Sequence, residues 1–244
     1  MDEIKLAVMD MSGTTVNDHQ ELTTCFFNAG LKTGLNAERA DIRPLLGLPH
    51  LEIVKKLWAN KLGTDDPNYD QSVANTFHLF TAILQNHYVL NGAKPMKGAM
   101  DTFKWLRAEG VYIALTTGTS RKIAKIILDK LGWSEGLDEN FRGSEISIID
   151  LSLTPDEAGG KGNPFPDMVQ KAMELLEIDK SSQVIRVGDT IHDLQSGKRA
   201  NCLLSIGVTN GAGTPEELSG ADSDLIIDHI GELRDAVSAQ LAGA

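Results

Sequence analysis

Residues Leu6 to Thr15, LAVMDMSGTT, constrain the fold more than any other stretch of the chain. Leu6-Ala7-Val8-Met9 is a short apolar run of the kind that forms a strand buried on both faces. It stops at Asp10. Gly13, Thr14 and Thr15 then force a turn and offer backbone N–H and hydroxyl donors. Open α/β sheets bind ligands at the C-terminal ends of their strands. A carboxylate placed there and ringed by donors can act as a nucleophile toward phosphorus.

The same theme of strand, turn and helix recurs. Val111 to Leu115 predicts a strand ending in Thr116-Thr117-Gly118, with Ile123, Ile126, Ile127 and Leu131 following at helical spacing. Val184 to Val187 predicts another, ending in Gly188-Asp189-Thr190. Leu203 to Val208 and Leu225 to Ile227 complete the set. Strands alternating with helices indicate a parallel sheet covered on both faces. Residues 17–92 differ: Leu22, Phe26 and Ala29, then Leu51, Val54 and Trp58, then Val73, Phe77, Phe80 and Leu84 mark apolar helix faces without strands. The reading is an α/β chain with a Rossmann-like core over 1–16 and 93–244 and a helical unit over 17–92. Two adjacent linkers, one marked by Asp18, suit a lid that moves.

The formal net charge is −11, from 23 basic and 34 acidic residues, with no basic stripe, which argues against duplex nucleic acid as a partner. A phosphate-bearing metabolite stays compatible, because a bound cation and a few basic groups reverse the local field. Cys25 and Cys202 alone make no disulfide framework or zinc cluster. The start, MDEIKLAV, carries acids where a signal peptide carries basic residues, and no apolar run approaches the length of a membrane span. A soluble, cytoplasmic protein is expected.

Two later segments add to the candidate site. Thr117 and Gly118 end a strand, where a hydroxyl and amides can hold a phosphoryl oxygen; read alone, the segment favours a helix N-cap supplied by Thr119 or Ser120, and the two roles are compatible. In Gly188-Asp189-Thr190-Ile191-His192-Asp193 two carboxylates stand four apart, at a strand end and in the first turn of a helix. With Asp10 they supply the oxygen-rich shell that magnesium prefers. Asp193 also suits the helix N-terminus electrostatically. His192 reads as an exposed helix residue. Arg121 reads as a solvated helix start that can also hold an anionic tail. Trp58, Trp105 and Trp133 read as packing residues on helices.

DxSGTT, TTG and GDTxxDLxxG, in that order, resemble the haloacid dehalogenase superfamily over nearly the whole chain, and the helical insertion is similar to that family's type 1 cap. SGTTV, TTG and the closing GVTNGAGTPEEL resemble the phosphonatase (phosphonoacetaldehyde hydrolase) branch. The resemblance implies hydrolysis of a small phosphorylated metabolite, dependent on Mg²⁺, through an aspartyl phosphate on Asp10. It places the metal on Asp10, Asp189 and the backbone carbonyl of Ser12, with Asp193 orienting the metal shell and Thr117 on the phosphoryl group.

Three positions depart from the family pattern. Ser12 stands where phosphatases of the superfamily carry a second aspartate as general acid, a job serine does poorly; the phosphonatase branch lacks that acid too. His50 stands where phosphonatase carries the lysine of its Schiff base, and Lys55 and Lys56 read as a solvated face of the next helix. His50 is expected to donate a proton or bind substrate, or else to be structural. Asn163 replaces the usual Lys or Arg before Pro-x-Pro, so Lys161 is expected to supply the positive charge, with Asn163 adding a neutral amide. The rival readings are phosphonatase-type cleavage of a carbon–phosphorus bond, dehalogenation, and a weakened homologue that binds ligand. An exposed apolar face on the helical unit would permit a homodimer.

Overall fold

The computed structural model describes residues 4–242. Its centre is a six-stranded sheet in the order β3-β2-β1-β4-β5-β6, parallel throughout. The strands are β1 (Leu6–Asp10), β2 (Tyr112–Thr116), β3 (Leu151–Leu153), β4 (Val184–Gly188), β5 (Leu204–Val208) and β6 (Leu225–Ile227). Strand order reverses at β1, whose Asp10 is level with Thr116 of β2, while Met9 pairs Val187 of β4. That reversal opens a crevice beyond the strand ends. The three-residue β3 has no counterpart in the sequence reading, and β2 runs to Thr116, one residue past the predicted end.

Alternate residues serve the two faces of the sheet, as the pleat requires. Ala7, Met9, Ile113, Leu115, Ile185 and Val187 join one apolar cluster. Leu6, Val8, Ala114 and Val184 join the other, beneath Val169 and Ala172 of α7 (Asp167–Leu175). The second face holds a charge in mid-strand: Arg186, fully buried in the middle of β4.

Between β1 and β2 the chain forms α1 (Glu21–Thr33), α2 (Arg39–Ile42), α3 (His50–Leu62) and α4 (Tyr69–Asn91) before α5 (Ala99–Ala108) returns it to the sheet. Phe26 of α1 stacks on Phe80 of α4 with ring centroids 3.7 Å apart, and the Trp58 indole of α3 donates to the Thr76 hydroxyl at 2.9 Å. Most of the periodic apolar positions therefore bury in a cluster continuous with one face of the sheet, whereas Leu51 is exposed. The two linkers are pinned side by side: Asn17 N–H donates to Lys94 O at 2.9 Å, and Met96 N–H to Thr15 O at 2.8 Å.

Of the other helices, α6 (Arg121–Leu131) follows β2, α8 (Ile191–Arg199) follows β4, α9 (Pro215–Gly220) follows β5, and α10 (Leu233–Ala242) ends the chain. Trp58 and Trp133 are buried packing residues, although Trp133 lies just beyond α6 rather than on it. No described helix is long and apolar enough to cross a membrane.

Candidate functional site

A cavity of about 210 Å³ lies between the ends of β1, β2 and β4 and the helices of the insertion, with Asp10, Ser12, Thr117 and Asp189 on its sheet side. The turn after β1 is self-contained. Met11 O accepts the N–H groups of Thr14, Thr15 and Val16, and Gly13 N–H donates to Val16 O at 2.8 Å. The amides of Gly13, Thr14 and Thr15, expected as phosphate donors, are therefore spent inside the loop. The two threonine hydroxyls work locally as well: Thr15 donates to Asp10 O at 2.8 Å and Thr14 to Asp189 Oδ1 at 3.2 Å. Gly13 has a positive φ of 91°, and a Cβ there would stand 2.3 Å from Asp189 Oδ2, so only glycine fits.

Asp10 and Asp189 are both buried and face the same cavity. Asp189 Oδ2 accepts the Ala212 N–H at 2.7 Å. Burial, then the negative charges of Asp193 and Asp189, hold the Asp10 carboxyl well above its ordinary pKa, with Arg186 pulling the other way. Burial and the charge of Asp193 push Asp189 up to about 7. Two hard oxygen ligands whose ionised forms are costly without a counter-charge are a donor set suited to a divalent cation that keeps part of its water.

Asp193 does not join them. Its carboxylate is fully buried and turned away from the cavity, accepting from Arg186 Nη2 at 2.5 Å, Asn163 Nδ2 at 2.7 Å and the Thr190 hydroxyl at 2.6 Å. Gly188 leaves the room, since a Cβ there would stand 2.2 Å from Asp193 Cβ. Arg186 reaches on through Nη1 to Thr116 Oγ1 at 2.7 Å. Among the described residues no three His, Cys, Asp or Glu side chains gather as a metal-binding group. The expected acidic trio is thus a pair at the cavity plus a third carboxylate neutralised beneath it.

Both candidates for the positive charge move elsewhere. Lys161 Nζ pairs with Asp167 at 3.3 Å on a side chain 62% exposed, and Asn163 is bound to Asp193; neither lines the cavity. The buried cation near Asp10 is Arg186, which the sequence reading passed over. Its signal was a lone charge inside the apolar strand Val-Ile-Arg-Val-Gly, where only a paired charge is tolerable.

On the helical side His50 opens α3 and lines the cavity, but it is not an acid. Burial depresses its pKa to about 3, and its ring stands edge-on to Phe26 and Phe80 at 5.5 and 5.1 Å. Its backbone N–H donates to Gly118 O at 3.1 Å, tying the insertion to the end of β2. Gly118 is obligatory there, since a Cβ would meet Leu48 O at 2.7 Å. Arg43 adds a second tie, with Nη2 on Glu217 at 2.9 Å and Nε donating to Ala212 O at 3.3 Å. His192 is half-buried rather than exposed and touches Pro44 O at 3.3 Å. Arg121 is bound to Glu157 and Ser152 away from the cavity, and Lys55 pairs with Glu52 on the helix surface.

Comparison with known proteins gives the family and the fold. The family model for haloacid dehalogenase-like hydrolases matches residues 4–201. A phosphonoacetaldehyde hydrolase of Bacteroides fragilis is 27% identical over 260 residues, covering 100% of this chain and 91% of that protein. A protein of Dickeya dadantii described as probable phosphatase IndB is 28% identical over 240 residues, covering 97% and 94%. A solved structure from Oleispira antarctica, titled as a phosphonoacetaldehyde hydrolase-like protein, superposes with a TM-score of 0.77 at 17% identity, covering 97% and 92%.

Proposed function

The chain belongs to the haloacid dehalogenase-like hydrolases, and from that premise we propose that it hydrolyses a small phosphate monoester through a covalent intermediate on Asp10. One observation carries the reading: Asp10 and Asp189 are both buried and line one cavity, with Thr117 also on its wall. Mg²⁺, held by Asp10, Asp189 and the backbone carbonyl of Ser12, would neutralise phosphoryl oxygens and leave Asp10 ionised.

An Asp10 oxygen attacks phosphorus as the ester P–O bond breaks; water then cleaves the aspartyl phosphate. Thr117 aligns the phosphoryl group. Arg186 supplies the positive field from below, in the place expected for Lys161, and pairs with Asp193, opposing the effect of that carboxylate's charge on Asp10. At about 210 Å³ the cavity sits below the roughly 300–1,000 Å³ of sites for drug-sized ligands. A metabolite of a few carbons fits, and a polymer does not.

No lysine lines the cavity among the described residues, so an imine route to a carbon–phosphorus bond lacks its amine. This separates the chain from what the names of its phosphonoacetaldehyde hydrolase relatives describe. The test is phosphate release from a panel of monoesters and phosphonoacetaldehyde, with Mg²⁺ and with chelator. Release from a monoester that needs the metal and vanishes in Asp10→Asn is expected. Undiminished turnover by Asp10→Asn, or in chelator, would overturn the reading.

A further inference from the structure

We propose that Asp18 is the acid–base group of this site, giving a proton to the departing oxygen and taking one from the attacking water; the inference rests on the monoester reading above. Six side chains that can carry charge line the cavity: Asp10, Asp18, Arg39, Arg43, His50 and Asp189. Asp10 forms the bond to phosphorus, and Asp189 is the carboxylate beside it. Guanidinium groups do not release protons near neutrality. His50 is held neutral by burial against the stacked pair of phenyl rings. Ser12, also on the wall, is too weak an acid. Asp18 remains.

Its geometry fits the task. Asp18 Oδ1 accepts the backbone N–H of Glu21 at 2.7 Å and of Leu22 at 3.4 Å, so the start of α1 anchors the carboxyl while it opens on the cavity. Burial, with the Glu21 carboxylate beside it, raises its pKa to about 7, where an acid and its conjugate base are both populated at neutral pH. The other groups around it do not compete. Cys25 on α1 is pushed up to about 11, and the Tyr88 hydroxyl of α4, which meets Ser12, is raised as well, so both stay neutral. Against its own burial, the hydrogen bond from Asp18 lowers the pKa of Glu21, with His19 and His87 adding to it, and keeps Glu21 the anionic partner.

The step balances. As the Asp10 oxygen bonds to phosphorus and the ester P–O bond breaks, the Asp18 proton passes to the departing alkoxide and yields the alcohol. When water attacks the aspartyl phosphate, the bond from phosphorus to Asp10 breaks and the water proton returns to Asp18. The sum is ester plus water to alcohol plus phosphate.

The experiment compares Asp18→Asn and Asp18→Glu with the unaltered enzyme on two kinds of substrate. One is the alkyl phosphate turned over fastest; the other is p-nitrophenyl phosphate, whose anion leaves without a proton. Asp18→Asn keeps the acceptor for the Glu21 N–H. In single-turnover release of the leaving group, which reads the first step alone, it is expected to lower the rate about 10²-fold or more on the alkyl ester, but less than about 3-fold on the nitrophenyl ester. The descending alkaline limb of the alkyl-ester profile near pH 7 should disappear, and Asp18→Glu should restore part of the rate. Equal losses on both substrates, as a purely structural role would give, overturn the assignment and leave the monoester reading standing. Failure of the unaltered enzyme to release phosphate from either substrate with Mg²⁺ overturns both.

Discussion

Asp189 and Asp193 stand four residues apart, yet they inhabit opposite surroundings. Asp189 faces the cavity beside Asp10, with one hydroxyl and one N–H as its nearest donors. Asp193 lies beneath, enclosed by a guanidinium, an amide and a hydroxyl. The upper pair are carboxyls whose ionised forms burial and neighbouring charge make costly, whereas the charge of the lower group is met by Arg186. Like residues at motif spacing therefore sit in different surroundings: one lines the cavity, and the other is tied into the network beneath it.

The sharpest way to break this contrast is to remove the lower cation. Arg186→Met leaves Asp193 buried without its partner and should cost about 3–5 kcal/mol of stability in urea unfolding. Arg186→Met with Asp193→Asn should recover most of that loss. If the single substitution is silent, the lower network is not an ion pair of consequence.

Asp189→Asn tests the upper pair from the other direction. It should abolish phosphate release that depends on metal, and yet raise the melting temperature of the chelated protein, because it deletes a buried charge with no counter-charge. A fall in that temperature would mean that Asp189 is already compensated.

Acidity gives a third measure. Asp189 and Asp18 both have folded pKa values raised to about 7 from an ordinary 3.8. Between those values the native state binds more protons than the unfolded chain, so their stabilisation is full below about pH 4 and is lost as pH rises through 7. The melting temperature of the chelated protein should drop by roughly 5 °C or more between pH 5 and pH 8. Added Mg²⁺ should restore it increasingly with pH, since the metal binds the ionised carboxylates. A flat profile in chelator would contradict the burial of this pair.

The smallest effect belongs to Lys161→Ala, which removes an exposed pair with Asp167. Stability should move by less than about 0.5 kcal/mol and turnover should hold. A loss of rate would return the positive charge to that loop.

Much of the fold was legible because burial on both faces makes parallel strands read as continuous apolar runs, as Leu6 to Met9 and Leu204 to Val208 do. The strand β3 was not. Leu-Ser-Leu is too short to show a period, and its pairing with β2 decides it. Helix faces in the insertion were legible by the same logic, with Phe26 and Phe80 at positions that meet. Within the site, Asp10, Thr117 and Asp189 could be placed because a strand end has one direction to face. Asp193 and Asn163 could not, because the first turn of α8 swings the later carboxylate under the sheet, and only the packed structure shows that Arg186 waits there.

By itself, then, the order of residues determined an alternating α/β sheet, a helical insertion after its first strand, and an acid at the strand end where such sheets bind ligands. Local periodicity and turn chemistry suffice for that, since each depends on neighbours within a few positions. Tertiary structure alone decided which charges meet: Arg186 with Asp193, Lys161 with Asp167, and Asp18 with the cavity. The reason is physical. The free energy of a charge depends on its burial and on partners that no helix or strand period brings together, seven residues on for Arg186 and six for Lys161, and these meet only when the turns after the strands pack.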